Sequence, residues 1–248
     1  MNAETVLLLG GVRAPLLQLA HPMVAAGVAD HSDFGRDAFG RLTNTLDLTL
    51  TVAFGDEDQR RTALAQVADT HRRVTGMRGD RPYRALDPEL LMWVHATLVD
   101  TALVTHERFI GSIGPVARDR YHEEMKRQAV AFGVPMDRVP RSFEDFRGYM
   151  DEMVETLEVT DEARALSRGV LRPPSPGALR PLVEVMRFLT VGLLPDRVRA
   201  GYGLTWDPRR DRVVAALASA LRGGVVPLLP DALRRWPHAR DADRRLAG

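Results

Sequence analysis

Apolar residues recur every three or four positions along most of this chain, and nowhere do they alternate over a run long enough to build a half-buried strand. A helical period with no competing period of two restricts the fold to helices packed on helices, an all-α class. The segment after Asp87-Pro88 is the clearest case. Aspartate caps helices well, and proline suits the first helical position, where its missing N–H has no partner to lose. The helix then runs to about Ile110, with Leu91, Val94, His95, Leu98, Ala102 and Thr105 along one side. Ser142 with Asp145 and Thr160 mark further helix starts, whereas Gly133 and Pro195 mark stops. About nine or ten helices are expected. Residues 1–224 read as one helical domain, and residues 225–248, with Pro227, Pro230, Pro237 and repeated arginine and aspartate, as a loose tail.

Composition removes several functions. The formal net charge of +1 gives no field to attract nucleic acid, and the basic residues are interspersed with acidic ones. The chain has no cysteine, which excludes disulfides, thiolate catalysis, zinc–thiolate sites and thiolate ligation of haem. No window reaches the length of a membrane span and no secretory signal is evident, so a cytoplasmic location is expected. Peripheral membrane contact remains open at Phe188–Leu194 and Val225–Leu229. G-x-G-x-x-G, Walker, G-x-S-x-G and H-E-x-x-H patterns are all missing, as is the paired Glu-x-x-His of four-helix di-iron proteins.

The stretch from Arg41 to Thr75 holds the most chemistry. At helical pitch Ala38, Arg41, Thr45, Leu48 and Val52 share a stripe expected to face the core, where an arginine is unusual. Gly55-Asp-Glu-Asp then gives a turn and an acidic helix start. The next helix carries Leu64, Val67, Ala68, His71, Val74 and Thr75 on its apolar face, which sets the His71 imidazole among aliphatic neighbours. A neutral imidazole in an apolar cleft suits the proximal side of haem iron, and it equally suits a core histidine bonded to a carbonyl. Arg41 is correspondingly a ligand-facing charge or a buried ion-pair partner.

Three more histidines interrupt apolar or capping segments. His21 precedes Pro22 in a region apolar nearly all round. His31, in Asp30-His31-Ser32-Asp33, is placed either to act chemically or to close a helix before the next cap. His95, with Thr97 and Asp100, marks a helix that borders a polar cavity or that hydrogen-bonds to its neighbours. His21 and His95 are expected to be buried and to share a cavity with His71. Gly76-Met-Arg-Gly-Asp-Arg-Pro reads as a flexible surface connection able to close over a pocket.

Five segments together resemble the MpaB-type oxygenase family, to which latex clearing protein (rubber oxygenase) belongs. They are Gln18-Leu-Ala-His-Pro-Met-Val-Ala-Ala-Gly-Val, His31-Ser-Asp-Phe, Arg41-Leu-Thr-Asn-Thr45, Val67 through His71 to Val74, and Trp93-Val-His-Ala-Thr-Leu-Val-Asp100. The likeness is to the short bacterial branch and extends over residues 4–206. It implies a globin-like helical core around haem b, with His71 as the axial iron ligand and Arg41 and Thr45 beside the cofactor. His21 and His95 are further candidates to face it.

Two positions depart from rubber oxygenase: Asn44 stands where a distal lysine would, and no glutamate stands near Ala25 to act as base. Asp30, His31 and Asp33 lie nearby, and His31 is the candidate taken with Arg41 and Thr45 for catalysis. The resemblance implies oxidation of an apolar, olefinic small molecule by dioxygen. The competing reading is a non-catalytic haem- or lipid-binding helical protein, which two histidines on the iron would favour.

Overall fold

The computed structural model describes residues 1–31 and 38–247, with the backbone alone for residues 38, 39, 41 and 42. A 3-10 turn over Thr5–Gly10 leads into α1 (Arg13–Leu19), α2 (Pro22–His31), α3 (Ala38–Phe54) and α4 (Glu57–Arg72). A short hairpin follows, β1 (Thr75–Arg78) and β2 (Arg81–Arg84). The chain continues through α5 (Pro88–Phe109), α6 (Pro115–Ala131), α7 (Phe143–Thr156), α8 (Asp161–Leu171), α9 (Arg180–Leu193), α10 (Asp196–Gly201) and α11 (Pro208–Ala220). It closes with α12 (Asp231–Arg234) and α13 (Pro237–Ala247). The fold is predominantly helical. The described residues form 13 α-helices, more than the nine or ten expected. Part of the surplus comes from Pro22, which starts a new helix at α2 where a kinked continuation was read, and part from the C-terminal segment.

The axis of the molecule is α5. Asp87 accepts from the Glu89 N–H, and Pro88 occupies the first turn, as its sequence requires. The helix packs against the Thr5–Gly10 turn and against α1, α6, α7 and α11. Trp93 and Ala96 on α5 meet Leu16 and Leu17 from α1 and Phe146 and Met150 from α7 in the main core. A second cluster gathers Phe109, Leu189, Val214 and Ala218.

Close approach of the first turn to α5 depends on Gly10. A Cβ added there would lie 1.9 Å from Thr105 Oγ1, inside a fully buried contact. Gly10→Ala should therefore destabilise the protein by about 1–3 kcal/mol through overpacking. Gly10→Ala combined with Thr105→Ala should recover much of that loss. Thermal melts of the two variants check this, and equal melting temperatures would contradict it.

Two segments depart from the sequence reading. Residues 75–84 form an antiparallel pair, with Arg78 opposite Arg81 and Gly76 opposite Tyr83. Gly79 takes a φ of 62° at the first central turn position, a conformation cheap only for glycine and typical of two-residue hairpins. Gly76 lacks a side chain where Tyr83 crosses it, since a Cβ there would come 2.4 Å from the phenolic oxygen. The hairpin is also clasped to the body. Tyr83 donates to Asp30 Oδ2 at 2.6 Å, and Arg78 reaches both Asp30 at 3.1 Å and Glu162 at 2.5 Å.

The second departure is the expected loose tail. Pro230 and Pro237 precede or open helices here, the role proline plays at a first helical position. Trp236 N–H donates to the Ala3 carbonyl at 2.9 Å, Arg234 pairs with Glu4 at 3.0 Å, and α13 packs on α3.

Candidate functional site

The polar residues of α5 are accounted for first. Asp100 is buried and takes Arg13 Nη2 at 2.7 Å and Arg147 Nη1 at 3.0 Å. Arg13, buried on α1, also donates to Thr101 Oγ1 at 3.0 Å and to the Leu193 carbonyl at 2.7 Å. Thr97 Oγ1 accepts from Gln18 Nε2 at 3.0 Å and donates to the Val94 carbonyl. The intrusion of Thr97 and Asp100 into an apolar helix is thus a set of bonds that ties α1, α7 and the end of α9 to α5. Arg13 was missed in the sequence. Its signal was a lone charge inside the apolar run from Val12 to Leu19.

The seven histidines then separate by what their rings do. His21 Nδ1 accepts the Met23 N–H at 3.2 Å and so caps α2. That fixes the proton on Nε2, which is therefore unable to bind a metal in this tautomer. Burial, followed by the Arg81 charge, lowers its pKa. His31, exposed at the end of α2, directs Nε2 at the Thr75 carbonyl at 2.9 Å and meets Tyr83 edge-on. His95 is buried against α6 and donates to the Met125 carbonyl; burial pushes its pKa down to about 4. His106 bonds the Gly111 carbonyl, His122 the Pro140 carbonyl and His238 the Asp47 carboxylate.

His71 is the exception. It sits in the last turn of α4, half-buried, and neither ring nitrogen has a hydrogen-bond partner among the described residues. Burial lowers its pKa, so the imidazole is neutral near pH 7. Leu64, Val67, Ala68 and Val74 around it are also half-buried, so the apolar face of α4 is only partly covered. Past His71, the chain meets α2 where Gly27 faces Val74 and Tyr83.

The expected constellation is brought together only in part. His31 and His71 approach the same junction of α2, α4 and the hairpin, since Thr75 holds His31 and follows α4 directly. His95 is committed to α6 and His21 to its own helix start. Thr45 is exposed, as are Thr43 and Asn44, and among the described side chains of α3 Leu50 and Val52 are the fully buried ones. Of the described members of the stripe read on α3, Thr45 therefore faces out, while Leu48 is half-buried and Val52 buried. The Arg41 side chain and Asp33 lie outside the described residues. Asp30 is engaged by Tyr83 and Arg78. The hydrogen bond from Tyr83 draws the Asp30 pKa down, while burial and Asp30 together push the Tyr83 pKa up to about 12.

Residues 1–223 match the sequence profile of the family described as ER-bound oxygenase mpaB/B'/rubber oxygenase, catalytic domain. The chain belongs to that family. It is also 28% identical over 214 residues to an uncharacterized protein of Mycobacterium bovis, the match spanning 84% of each chain. The same figures hold for an uncharacterized protein of Mycobacterium tuberculosis. No solved structure matches.

The described residues provide no group of three or more His, Cys, Asp or Glu able to hold a bare ion. One neutral, uncommitted imidazole beside a half-covered apolar face is instead the donor set that suits iron already held by four macrocycle nitrogens.

Proposed function

We propose that this chain is a haem b-dependent oxygenase that uses dioxygen on an apolar, olefinic small molecule, with a globin-like arrangement of helices around the cofactor and His71 as the residue that would hold its iron. The observation that carries the reading is that His71 alone among the seven histidines has both ring nitrogens uncommitted within the described residues. Family membership supports the oxygenase class.

Haem b, when bound, supplies iron-centred activation of dioxygen. The chain's own residues set the conditions around it. Burial keeps His71 unprotonated, which leaves a lone pair available for donation. Leu64, Val67 and Ala68 give an apolar wall that excludes water from one side. Arg41 provides a fixed positive charge for a carboxylate, and Thr45 provides a hydroxyl on the same helix one turn later. His31 directs Nε2 at the Thr75 carbonyl, so in the neutral ring Nδ1 carries the lone pair and is the candidate proton acceptor.

His71→Ala should abolish stoichiometric haem binding and its Soret band while the far-UV circular dichroism remains helical. Arg41→Ala should weaken haem retention without removing the iron–imidazole bond. Reconstitution with haem b followed by absorption spectroscopy provides both readouts. An unchanged Soret band in His71→Ala would remove His71 as the ligand. A six-coordinate spectrum with two histidine ligands would favour a carrier over an oxygenase.

A further inference from the structure

Away from the α4 face, a cleft of about 350 Å³ opens between the C-terminal half of α9 and the segment entering α11. Its size falls within the range of small-molecule sites. Arg187, Phe188, Leu204, Trp206 and Arg210 are among its lining residues. Two rings provide an apolar floor, with the Phe188 and Trp206 centroids 5.2 Å apart and their planes inclined by 37°.

The indole is held in place from several sides. Gly192 makes room for it, since an added Cβ would lie 2.9 Å from the ring. Its Nε1 donates to Asp211 at 2.7 Å. The guanidinium of buried Arg199 stands 5.1 Å from its centroid. A floor fixed in this way costs little to order when a ligand arrives.

Two guanidinium groups form the polar side. Arg210 stands 5.8 Å from the indole centroid, donates Nη1 to the Thr205 carbonyl at 2.6 Å and has Asp207 3.7 Å from Nε. Its Nη2 makes no hydrogen bond among the described residues. Arg187 is held by Glu184 through Nε and Nη2, each at 2.7 Å, and its Nη1 is likewise without a bond among the described residues. Both side chains are thus positioned by internal partners while each keeps N–H groups to offer, the arrangement that recognises a carboxylate. Arginines also outnumber acidic residues over positions 172–230, although the whole chain is nearly neutral, so the local field favours anions.

We propose that this cleft binds a flat organic monoanion, an aromatic or conjugated carboxylate, with its apolar body on Phe188 and Trp206 and its carboxylate between Arg187 and Arg210. The site is separate from the α4 face, and its test is independent of haem. Isothermal titration of the full chain with 1-naphthoate should give saturable binding, and naphthalene-1-carboxamide, of the same shape but neutral, should bind at least about tenfold more weakly. Arg210→Gln should weaken naphthoate binding by about tenfold, and Arg187→Gln should do so by a similar factor. Arg209→Gln, which removes a neighbouring charge outside the cleft, should leave binding unchanged. The proposal fails if no heat is seen at millimolar naphthoate, if the carboxamide binds as well, if Arg209→Gln costs as much as Arg210→Gln, or if neither Arg187→Gln nor Arg210→Gln has an effect. Circular dichroism on each variant separates a lost site from a lost fold, and Arg187→Gln serves should Arg210→Gln not fold.

Discussion

Asp100→Ala is expected to destabilise the protein by about 3–5 kcal/mol, the usual cost of removing one partner from a buried ion pair. Asp100 and Arg13 have side-chain exposures of 4% each, so neither charge is solvated by water. Without the carboxylate, Arg13 keeps only a carbonyl and a hydroxyl as acceptors, and neither balances its charge. Arg147, the other partner of Asp100, is 46% exposed, and its replacement by alanine should cost no more than about 1 kcal/mol. Replacing both buried charges, as Arg13→Met with Asp100→Leu, should recover most of the loss, because the pair's attraction roughly balances the cost of drying it. Urea unfolding of the four proteins measures these differences. A cost for Asp100→Ala no larger than that for Arg147→Ala would mean the network does not hold α1 to α5 as described.

The second large effect is acid sensitivity governed by His95. Its folded pKa is about 4 because it is buried, against 6.5 in the unfolded chain. Between those values the unfolded state binds the proton and the folded state does not, so stability falls as the solution is acidified through this window. Above pH 6.5 the contribution is fully present; at pH 4 and below it is gone. The gap corresponds to about 3 kcal/mol. Burial also lowers the pKa of His21, His71, His106 and His122, so each adds in the same direction. Comparing denaturant midpoints at pH 7.5 and pH 5.5 stays above the titration of ordinary carboxylates and so reads mainly the histidines. His95→Leu should lower stability at pH 7.5 by leaving the Met125 carbonyl without its donor, yet it should narrow the difference between the two pH values. The same pH difference in wild type and variant would place the acid response elsewhere.

Sequence periodicity was most informative where one helix is wrapped on all sides. The limits and caps of α5 follow from Asp87-Pro88 and its apolar spacing, and His95, Thr97 and Asp100 stood out as polar groups needing partners. The partners themselves, Met125 on α6 and Gln18 and Arg13 on α1, come from two other helices, and no local pattern pairs residues so far apart. The stripe on α3 misled because periodicity assigns a face to a whole helix, while packing buries only the length that has a neighbour. Thr45 is exposed for that reason. The hairpin escaped notice because four-residue strands are too short for alternation to register, and Tyr83 is the only buried side chain across them. Proline was read as a breaker after residue 225, although in Asp87-Pro88 it had been read correctly as a starter. The unbonded ring of His71 was not legible at all: a sequence shows that a histidine lies among aliphatic residues, and only geometry shows that none of the described residues hydrogen-bonds to it.

The pairing of residues 3–5 with residues 233–236 bears on the order in which the molecule is completed. Thr5 Oγ1 reaches the Leu233 carbonyl across 228 positions of sequence, and this same junction leads into the helix that braces α3. During synthesis, N-terminal segments are made first and a domain folds as a unit. The helix with Arg41 and Thr45 must therefore wait, unbraced on that side, until residues 237–247 have been made. In a nascent chain that stops before Trp236, α3 lacks the partner that α13 provides, so this contact forms after the rest of α3's neighbours have been made.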